Sequence, residues 1–431
     1  MSLRYKMLAF TLLLGSAAPA MAGGFYLQEQ SARELGRAFS GEAASADNAS
    51  TVYYNPAGMT ELEGINFQLG GELLLVNSRQ ENRGTTRTVP GVPVSIPVPG
   101  GDGGNPFSQP IVVPQAYATA QITDRLWAGL GVSSPFGVVV DYDDDFFGRY
   151  DSLRSDVFTV NVQPSLAYKI NDNLSIGAGV DVQYIDVELT NALPNLNPAS
   201  GDGFLRVQGD DVSVGWNVGA QLEVEKVRLG AHYRSRMKHN LEGTFDLSGL
   251  VGPLAGQNGS TTATAPLTLP DIATVSAMFG VDSATRVYGS WNWYNWSTFD
   301  AITVFPEGRP AQSSPQNYED SWSMALGAEH DFTDRLTLRA GTMYDATPVP
   351  DAFLSTRVPD GDRTWATVGA TYRLNDRFDI DFSYAHVFVA SATLNRSDNF
   401  YEGTPAQINT TLRSTNRGDV DQFGLALNAR F

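Results

Sequence analysis

The chain has 431 residues, a formal net charge of −18 and no cysteine. The acidic balance excludes a nucleic-acid partner, which needs a basic patch against the phosphate backbone. The missing cysteines exclude a disulfide framework, and beyond the N-terminus no apolar run approaches the roughly 18 residues of a membrane helix. A mean hydropathy of −0.19 fits a soluble protein, but equally a transmembrane β-barrel, whose strands alternate and whose loops are polar.

Arg4 and Lys6 precede a mostly apolar run, Met7 to Leu14, and Ala20-Met21-Ala22 is a small-x-small site. Residues 1–22 therefore read as a secretory signal peptide, too short to span a bilayer. Gly23 is then the mature N-terminus and the mature charge is −20. An exported chain without disulfides must draw its stability from a large closed hydrogen-bonded structure or from lipid.

Residues 23–63 do not alternate. Ala32, Leu35, Ala38 and Phe39 have helical spacing, interrupted by Gly36 and Gly41, which predicts short helical turns. Phe25, Tyr26, Leu27, Val52, Tyr53, Tyr54 and Met59 are too apolar for a disordered tail. The place for such a segment ahead of a barrel is the lumen, so it is read as a hatch. Within it, residues 51–59 read TVYYNPAGM. Asn is a good N-cap and Pro a good first helical residue, so Asn55-Pro56-Ala57 forms a rigid turn, expected to face the wall as a latch.

From residue 64 onward period-two alternation dominates. In 377–388 (RFDIDFSYAHVF), Phe378, Ile380, Phe382, Tyr384 and Phe388 share one face and Arg377, Asp379, Asp381 and Ser383 the other, the signature of a strand. Fourteen such segments follow: near 64–78, 112–123, 126–141, 154–170, 174–190, 207–223, 226–246, 264–281, 285–304, 318–332, 336–347, 360–374, 377–395 and 417–431. Short polar turns, such as Thr123-Asp124-Arg125-Leu126 and Thr333-Asp334-Arg335-Leu336, alternate with long loops rich in Gly, Pro, Ser and Asn. Short turns at one end and long loops at the other define an outer-membrane barrel, here an all-β, 14-stranded antiparallel barrel over residues 64–431. Its last strand ends on an aromatic, Phe431.

The third strand is broken in its interior by Ser134-Pro135-Phe136-Gly137. Proline removes a ladder donor and glycine weakens a strand, yet backbone groups facing lipid must be satisfied. The break is either a bulge above the membrane or an inward bend of the wall. Pro164, on the next strand, is a second missing donor expected beside it. Asp141, Asp143, Asp144 and Asp145 follow as an acidic run that lacks the ligand order of a calcium loop. It is read as a solvated loop, bridged to lipopolysaccharide through divalent cations. Tyr288, Trp291, Trp293, Tyr294 and Trp296 are assigned to an interfacial girdle.

Two rival functions compete. A lipase or protease needs a base, and only His232, His239, His330 and His386 are available. Ser383 and His386, three apart on a strand, face opposite sides, and there is no Gly-x-Ser-x-Gly elbow. An open general porin conflicts with an apolar segment over residues 23–63.

Several motifs in order resemble the FadL-type long-chain fatty acid transporter family, which also takes in outer-membrane transporters of aromatic hydrocarbons. They are Gly24-Phe25, Leu35 to Glu42 (LGRAFSGE), Ala46-Asp47, Asn55-Pro56-Ala57, Ser134 to Gly137, Tyr142 to Asp145, Gly148-Arg149-Tyr150, Leu269-Pro270-Asp271, Pro348-Val349-Pro350 and Pro359 to Arg363. The resemblance implies a monomeric barrel in the outer membrane of a Gram-negative cell, with its hatch, no cofactor and no metal. It implies capture of a hydrophobic small molecule, a fatty acid or hydrocarbon, at the outer loops, and passage to a lumen pocket. Lateral exit into lipid would follow through the kink at Ser134, Pro135, Phe136 and Gly137. Gly23, Gly24 and Phe25 would plug the pocket, with Asn55, Pro56 and Ala57 beside the gap. The stretches expected to line the lumen, 183–188 and 299–303, hold no Lys or Arg. That counts against a carboxylate clamp there; Arg234, Arg236 and Arg339 are the alternative clamp residues, so fatty acids, alkanes and aromatics all stay open as substrates.

Overall fold

The computed structural model describes residues 23–431; the signal-peptide reading falls outside them. Fourteen antiparallel strands form the barrel: β1 (Ile65–Asn82), β2 (Ile111–Thr123), β3 (Leu126–Ser133, resuming as Gly137–Asp141), β4 (Arg154–Lys169) and β5 (Leu174–Leu193) come first. Next are β6 (Gly203–Val224), β7 (Val227–Arg234 and Met237–Ser248), β8 (Gly259–Leu269 and Ile272–Gly280) and β9 (Thr285–Tyr294 and Ala301–Pro306). The last are β10 (Ser321–Thr333), β11 (Leu336–Asp345), β12 (Arg363–Arg373), β13 (Phe378–Val389 and Ala392–Phe400) and β14 (Ile408–Arg430). Each strand pairs with its sequence neighbours, and β1 closes the ring on β14 from Asn66↔Arg430 to Asn82↔Ser414. Closure leaves no free outermost strand, as a sheet in lipid requires.

The apolar faces point outward. Phe382, Leu425 and Leu427 are exposed to the surroundings, whereas Asp379, Asp381 and Ser383 are buried inside. Four strands read as continuous are interrupted, and three of the breaks share one cause. The Asp271 carboxylate, just past Pro270, accepts from Arg236 N (2.9 Å), Tyr233 Oη (2.6 Å) and Asn295 Nδ2 (2.9 Å). A charge-assisted knot thus replaces ladder bonds where β7, β8 and β9 all bend.

Residues 23–60 are buried inside the ring apart from half-buried Asp47. They carry two single-turn helices, α1 (Ala32–Leu35) and α2 (Thr51–Tyr54), and a 3₁₀ turn, Pro56–Glu61. The wall makes room with glycine. A Cβ at Gly177 of β5 would lie 2.5 Å from Ala57 N, one at Gly369 of β12 2.7 Å from Gly36 Cα, and one at Gly424 of β14 2.9 Å from the Ala32 Cβ. Gly129, Gly219, Gly230, Gly327 and Gly341, on five further strands, likewise have no space for a side chain against residues 37–59. Ion pairs complete the fit: Arg33 reaches Asp379 (2.8 Å) and Asp381 (3.0 Å), and Arg37 reaches Glu34 (2.6 Å) and Glu329 (3.4 Å).

Candidate functional site

The two parts of β3 pair with β4 in different registers. Ser133 faces Asn161 below the break, and Gly137 faces Phe158 above it. Three residues, Ser134, Pro135 and Phe136, therefore oppose two, Thr159 and Val160. Thr159 fills the mismatch: Ser134 Oγ donates to its carbonyl (2.7 Å), and its hydroxyl bonds Phe136 N (3.1 Å) and Phe136 O (2.6 Å).

On the other side the ladder stops. The last pair between β2 and β3 is Ala116↔Val132. The upper part of β3 pairs only with β4, so Ile111 to Gln115 of β2 face it without backbone bonds until Asp141 N reaches Pro106 O (2.9 Å). The missing donor beside this opening is Pro114, on β2. Pro164 does not flank it: it faces Leu130 of β3, and on its other side the β4–β5 register skips from Val162↔Val182 to Ser165↔Gly179. Alternation does not encode register, and register decides which strand residues stand beside the break.

The N-terminal segment occupies the inside of the break. Tyr26 bridges Phe136, Leu27 N donates to Pro135 O (2.8 Å), Gly137 N donates to Phe25 O (2.9 Å), and Gln30 Nε2 donates to Ser134 O (2.8 Å). Gly23 N and Gly24 N are held by the buried carboxylates of Asp345 (2.9 Å) and Asp360 (3.0 Å). The Phe25 ring packs on Phe136, Trp296 and Phe299, with centroids 6.2, 4.8 and 5.6 Å away.

Asn55-Pro56-Ala57 lies elsewhere. Asn55 caps the turn through Ala57 N (3.1 Å) and reaches Ala220 O on β6 (3.0 Å). Ala57 packs on Gly177, which sits opposite Ala167, itself opposite Trp127. That is seven residues below Ser134, roughly 20 Å along the strand. The turn faces the wall, as expected, but not at the break. Periodicity places a residue on a strand without saying which part of a hatch meets it.

Above the break lies an apolar cavity of about 90 Å³ lined by Phe25, Val138, Val157, Val187, Leu241, Phe299 and Ile302 among others. Arg357 also lines it. One guanidinium nitrogen donates to Asn191 (2.9 Å), while Nη1 is buried without a partner. Arg357 is in the 346–362 loop, outside the stretches read as lumen-lining. Its signal is a lone Arg three residues after Phe353-Leu354. A larger cavity, about 360 Å³, opens among the short turns and is lined by Arg33, Arg286, Asp331, Arg335, Arg339 and Asp379. Such a charged lining does not suit an apolar ligand.

The tryptophan-rich stretch divides. Trp291 faces outward, but Tyr288, Tyr294 and Trp296 are buried inside, so the girdle assignment fails for these three. Asp141, Asp143, Asp144 and Asp145 are exposed, and Asp141 pairs with Arg154 (3.1 Å). Ser383 is inward and buried, while His386 bonds Asp421 on the outer face (2.9 Å).

Glu42, in the buried N-terminal segment, has no cationic partner; burial pushes its carboxyl up to about 8, against the amide donors of Asn292 and Gln28. An unfolded carboxyl ionises near its ordinary 4.5, so this group costs stability as pH rises from there to about 8. Glu42→Gln is expected to raise the thermal midpoint of detergent-solubilised protein above pH 8 and to leave it unchanged at about pH 4. An equal gain at both pH values would argue against an ionisation effect.

The family model described as "Outer membrane protein transport protein (OMPP1/FadL/TodX)" matches residues 13–431. Outer membrane protein P1 of Haemophilus influenzae is 29% identical over 98% of both chains. The long-chain fatty acid transport protein of Escherichia coli K12 is 26% identical over 89% of this chain and 92% of its own. Among solved structures, a Pseudomonas aeruginosa FadL homologue superposes with a TM-score of 0.82 at 25% identity, covering 95% of this chain and all of the other. The Ralstonia pickettii toluene transporter TbuX, at 20% identity, TM-score 0.68 and coverage of 94% and 99%, shares the fold.

Proposed function

The chain belongs to the OMPP1/FadL/TodX family of outer membrane transport proteins, and on that premise we propose that it takes up an acid-tipped hydrophobic molecule and releases it sideways into the membrane. Transport of hydrophobic compounds across the outer membrane is the family's activity; the route and the substrate are our reading. The observation that carries the route is that Phe25 and Val138 line the apolar cavity and both adjoin the break in the wall: Phe25 O accepts from Gly137 N and its ring packs on Phe136, and Val138 is the second residue of the strand that resumes above it. A molecule leaving the cavity there meets lipid. Moving an apolar chain from water to an apolar phase gains about 0.8 kcal/mol per methylene, so sideways release avoids returning that energy to a water-filled channel.

Arg357 favours an acid over an uncharged hydrocarbon. Its Nη1, buried without an acceptor, is costly to leave unpaired, and the carboxylate of a molecule in the cavity supplies the missing acceptor. Residues 23–63 act in this reading as the hatch. Gly23, Gly24 and Phe25 are the pocket plug, Ser134 to Gly137 the gap, and Asn55-Pro56-Ala57 a fixed anchor of the hatch on β5 and β6. Outer-membrane lipid receives the substrate, and the acidic 141–145 loop meets lipopolysaccharide.

Binding of oleate, an alkane and toluene to the purified barrel tests the substrate. Oleate is expected to bind tightest, and Arg357→Gln to weaken oleate about tenfold, the share of one charge-assisted hydrogen bond, without affecting toluene. Equal weakening of both would remove the acid from the proposal. A steady large conductance of wild-type protein in planar bilayers would instead favour the open porin.

A further inference from the structure

The cavity of about 360 Å³ among the short turns has no part in the transport reading, and its charges do not cancel. Seven arginines and five carboxylates line it. Four of the carboxylates are committed: Asp47 to Arg37 (3.2 Å), Glu329 to Arg339 (2.7 Å), Asp331 to Arg286 (2.9 Å) and Asp379 to Arg33 (2.8 Å). The fifth, Asp334, is exposed in the turn between β10 and β11. Two of the arginines, Arg335 and Arg373, form no ion pair and no side-chain hydrogen bond among the described residues.

The register sets these two side by side. Leu336 faces Tyr372 at the end of the β11–β12 ladder, and Arg373 N donates to Arg335 O (2.9 Å), so Arg335 and Arg373 stand directly opposite each other. Such neighbours have Cβ atoms about 4.5–5.5 Å apart, and like charges there repel. Across β13, Arg373 faces Asp379, but that carboxylate is buried and already accepts from Arg33, Arg430 and Asn428. Deeper in, Arg339 Nη1 donates to Thr371 Oγ1 (2.6 Å), and Arg33, Ser45 and Asp47 of the N-terminal segment form part of the lining. A doublet of cations alone makes no site. The same turn sequence recurs at Thr123 to Leu126, where Lys169 N donates to Arg125 O (2.9 Å), yet neither of those residues lines this cavity.

We propose that the cavity binds a phosphate dianion, free or as the head of a monoester, between the guanidinium forks of Arg335 and Arg373. Its two negative charges match the surplus of two positive ones. Its terminal oxygens accept from both forks at once, whereas a carboxylate has oxygens for one. The volume leaves room for a small organic group beside the phosphate. Short turns mark the periplasmic end of the barrel, so the ligand enters from the periplasm and rests against the N-terminal segment. The site is independent of the lateral route and of the substrate proposed above.

The test is calorimetric titration of the whole barrel in a maltoside detergent, at fixed ionic strength because exposed charges are screened by salt. At about pH 8 a monoester is a dianion. Glycerol 3-phosphate is expected to bind once per barrel and acetate not to compete. Arg335→Gln and Arg373→Gln are each expected to weaken binding about fivefold, and Arg125→Gln to leave it unchanged. Inorganic phosphate bound as tightly as glycerol 3-phosphate would assign the site to free phosphate, and a tighter glycerol 3-phosphate would assign it to a monoester; either result supports the dianion. Wild-type protein that binds neither would overturn the proposal without any variant. Acetate competing as well as phosphate would overturn it too, and so would equal weakening by Arg125→Gln and Arg335→Gln, the mark of a general charge effect.

Discussion

Deleting Pro135 is expected to close the wall and reduce uptake to the level of cells that lack the protein. The break is a one-residue mismatch: Ser134, Pro135 and Phe136 stand opposite Thr159 and Val160. Removing one residue makes the count equal, so Ser133↔Asn161 and Gly137↔Phe158 fall into a single register. Alternation then still points Val138 and Val140 inward, where both are buried now. Ile111 to Gln115 of β2 gain a strand to pair with, except at Pro114, which has no N–H. New ladder bonds stabilise the barrel, so heat-resistant migration on gels is expected to persist while uptake of radiolabelled oleate stops. Surface binding of oleate is expected to remain, because the cavity residues on β4, β5 and β7 are untouched. Normal uptake by a folded deletion variant would sink the lateral route. Loss of binding together with uptake would show that the deletion damaged the cavity instead.

The barrel was legible because lipid imposes a simple rule. Every strand must carry apolar side chains on one face, and period two is visible in sequences such as that of Phe378 to Phe388. The break was visible too, since Pro135 and Gly137 contradict the strand around them. The interior was harder to read. Which part of residues 23–63 meets the break depends on long-range pairing, such as Leu27 N with Pro135 O, and no local propensity encodes it. Asn55-Pro56-Ala57 has a strong local signature, and that signature describes a turn rather than its neighbour. The glycines packed against the N-terminal segment did leave a trace: Gly129, Gly177, Gly219, Gly230, Gly327, Gly341, Gly369 and Gly424 recur in strands, where glycine is unfavourable. Eight exceptions to strand propensity on eight strands are the sequence's mark of a close backbone approach, which no single strand shows. Arg357 was missed for a different reason. A loop arginine has no periodicity, and only the folded chain shows a free N–H beside an apolar cavity.

Displacing the N-terminal segment should produce the second large effect, and two substitutions there are expected to act in opposite ways. Gly24 has φ +72°, and a Cβ on it would lie 2.8 Å from the Trp296 ring. Gly24→Val therefore meets both a left-handed backbone that a β-branched residue resists and a collision with a fully buried ring. The amide bonds from residues 23 and 24 to Asp345 and Asp360 cannot survive both. The segment is expected to leave the cavity, and single-channel conductance in planar bilayers to rise well above that of wild type, which is expected to be near silent. Phe25→Ala keeps every one of those backbone bonds and Phe25 O still accepts from Gly137 N. It removes only the ring, whose loss from a packed site costs about 3–5 kcal/mol. If an incoming ligand must displace that ring, sparing it even about 1.4 kcal/mol tightens binding roughly tenfold. Phe25→Ala is thus expected to bind oleate more tightly while its conductance stays low. A silent Gly24→Val variant with wild-type affinity would show that the segment does not plug the pocket, and weaker oleate binding by Phe25→Ala would make the ring part of the ligand site rather than its occupant.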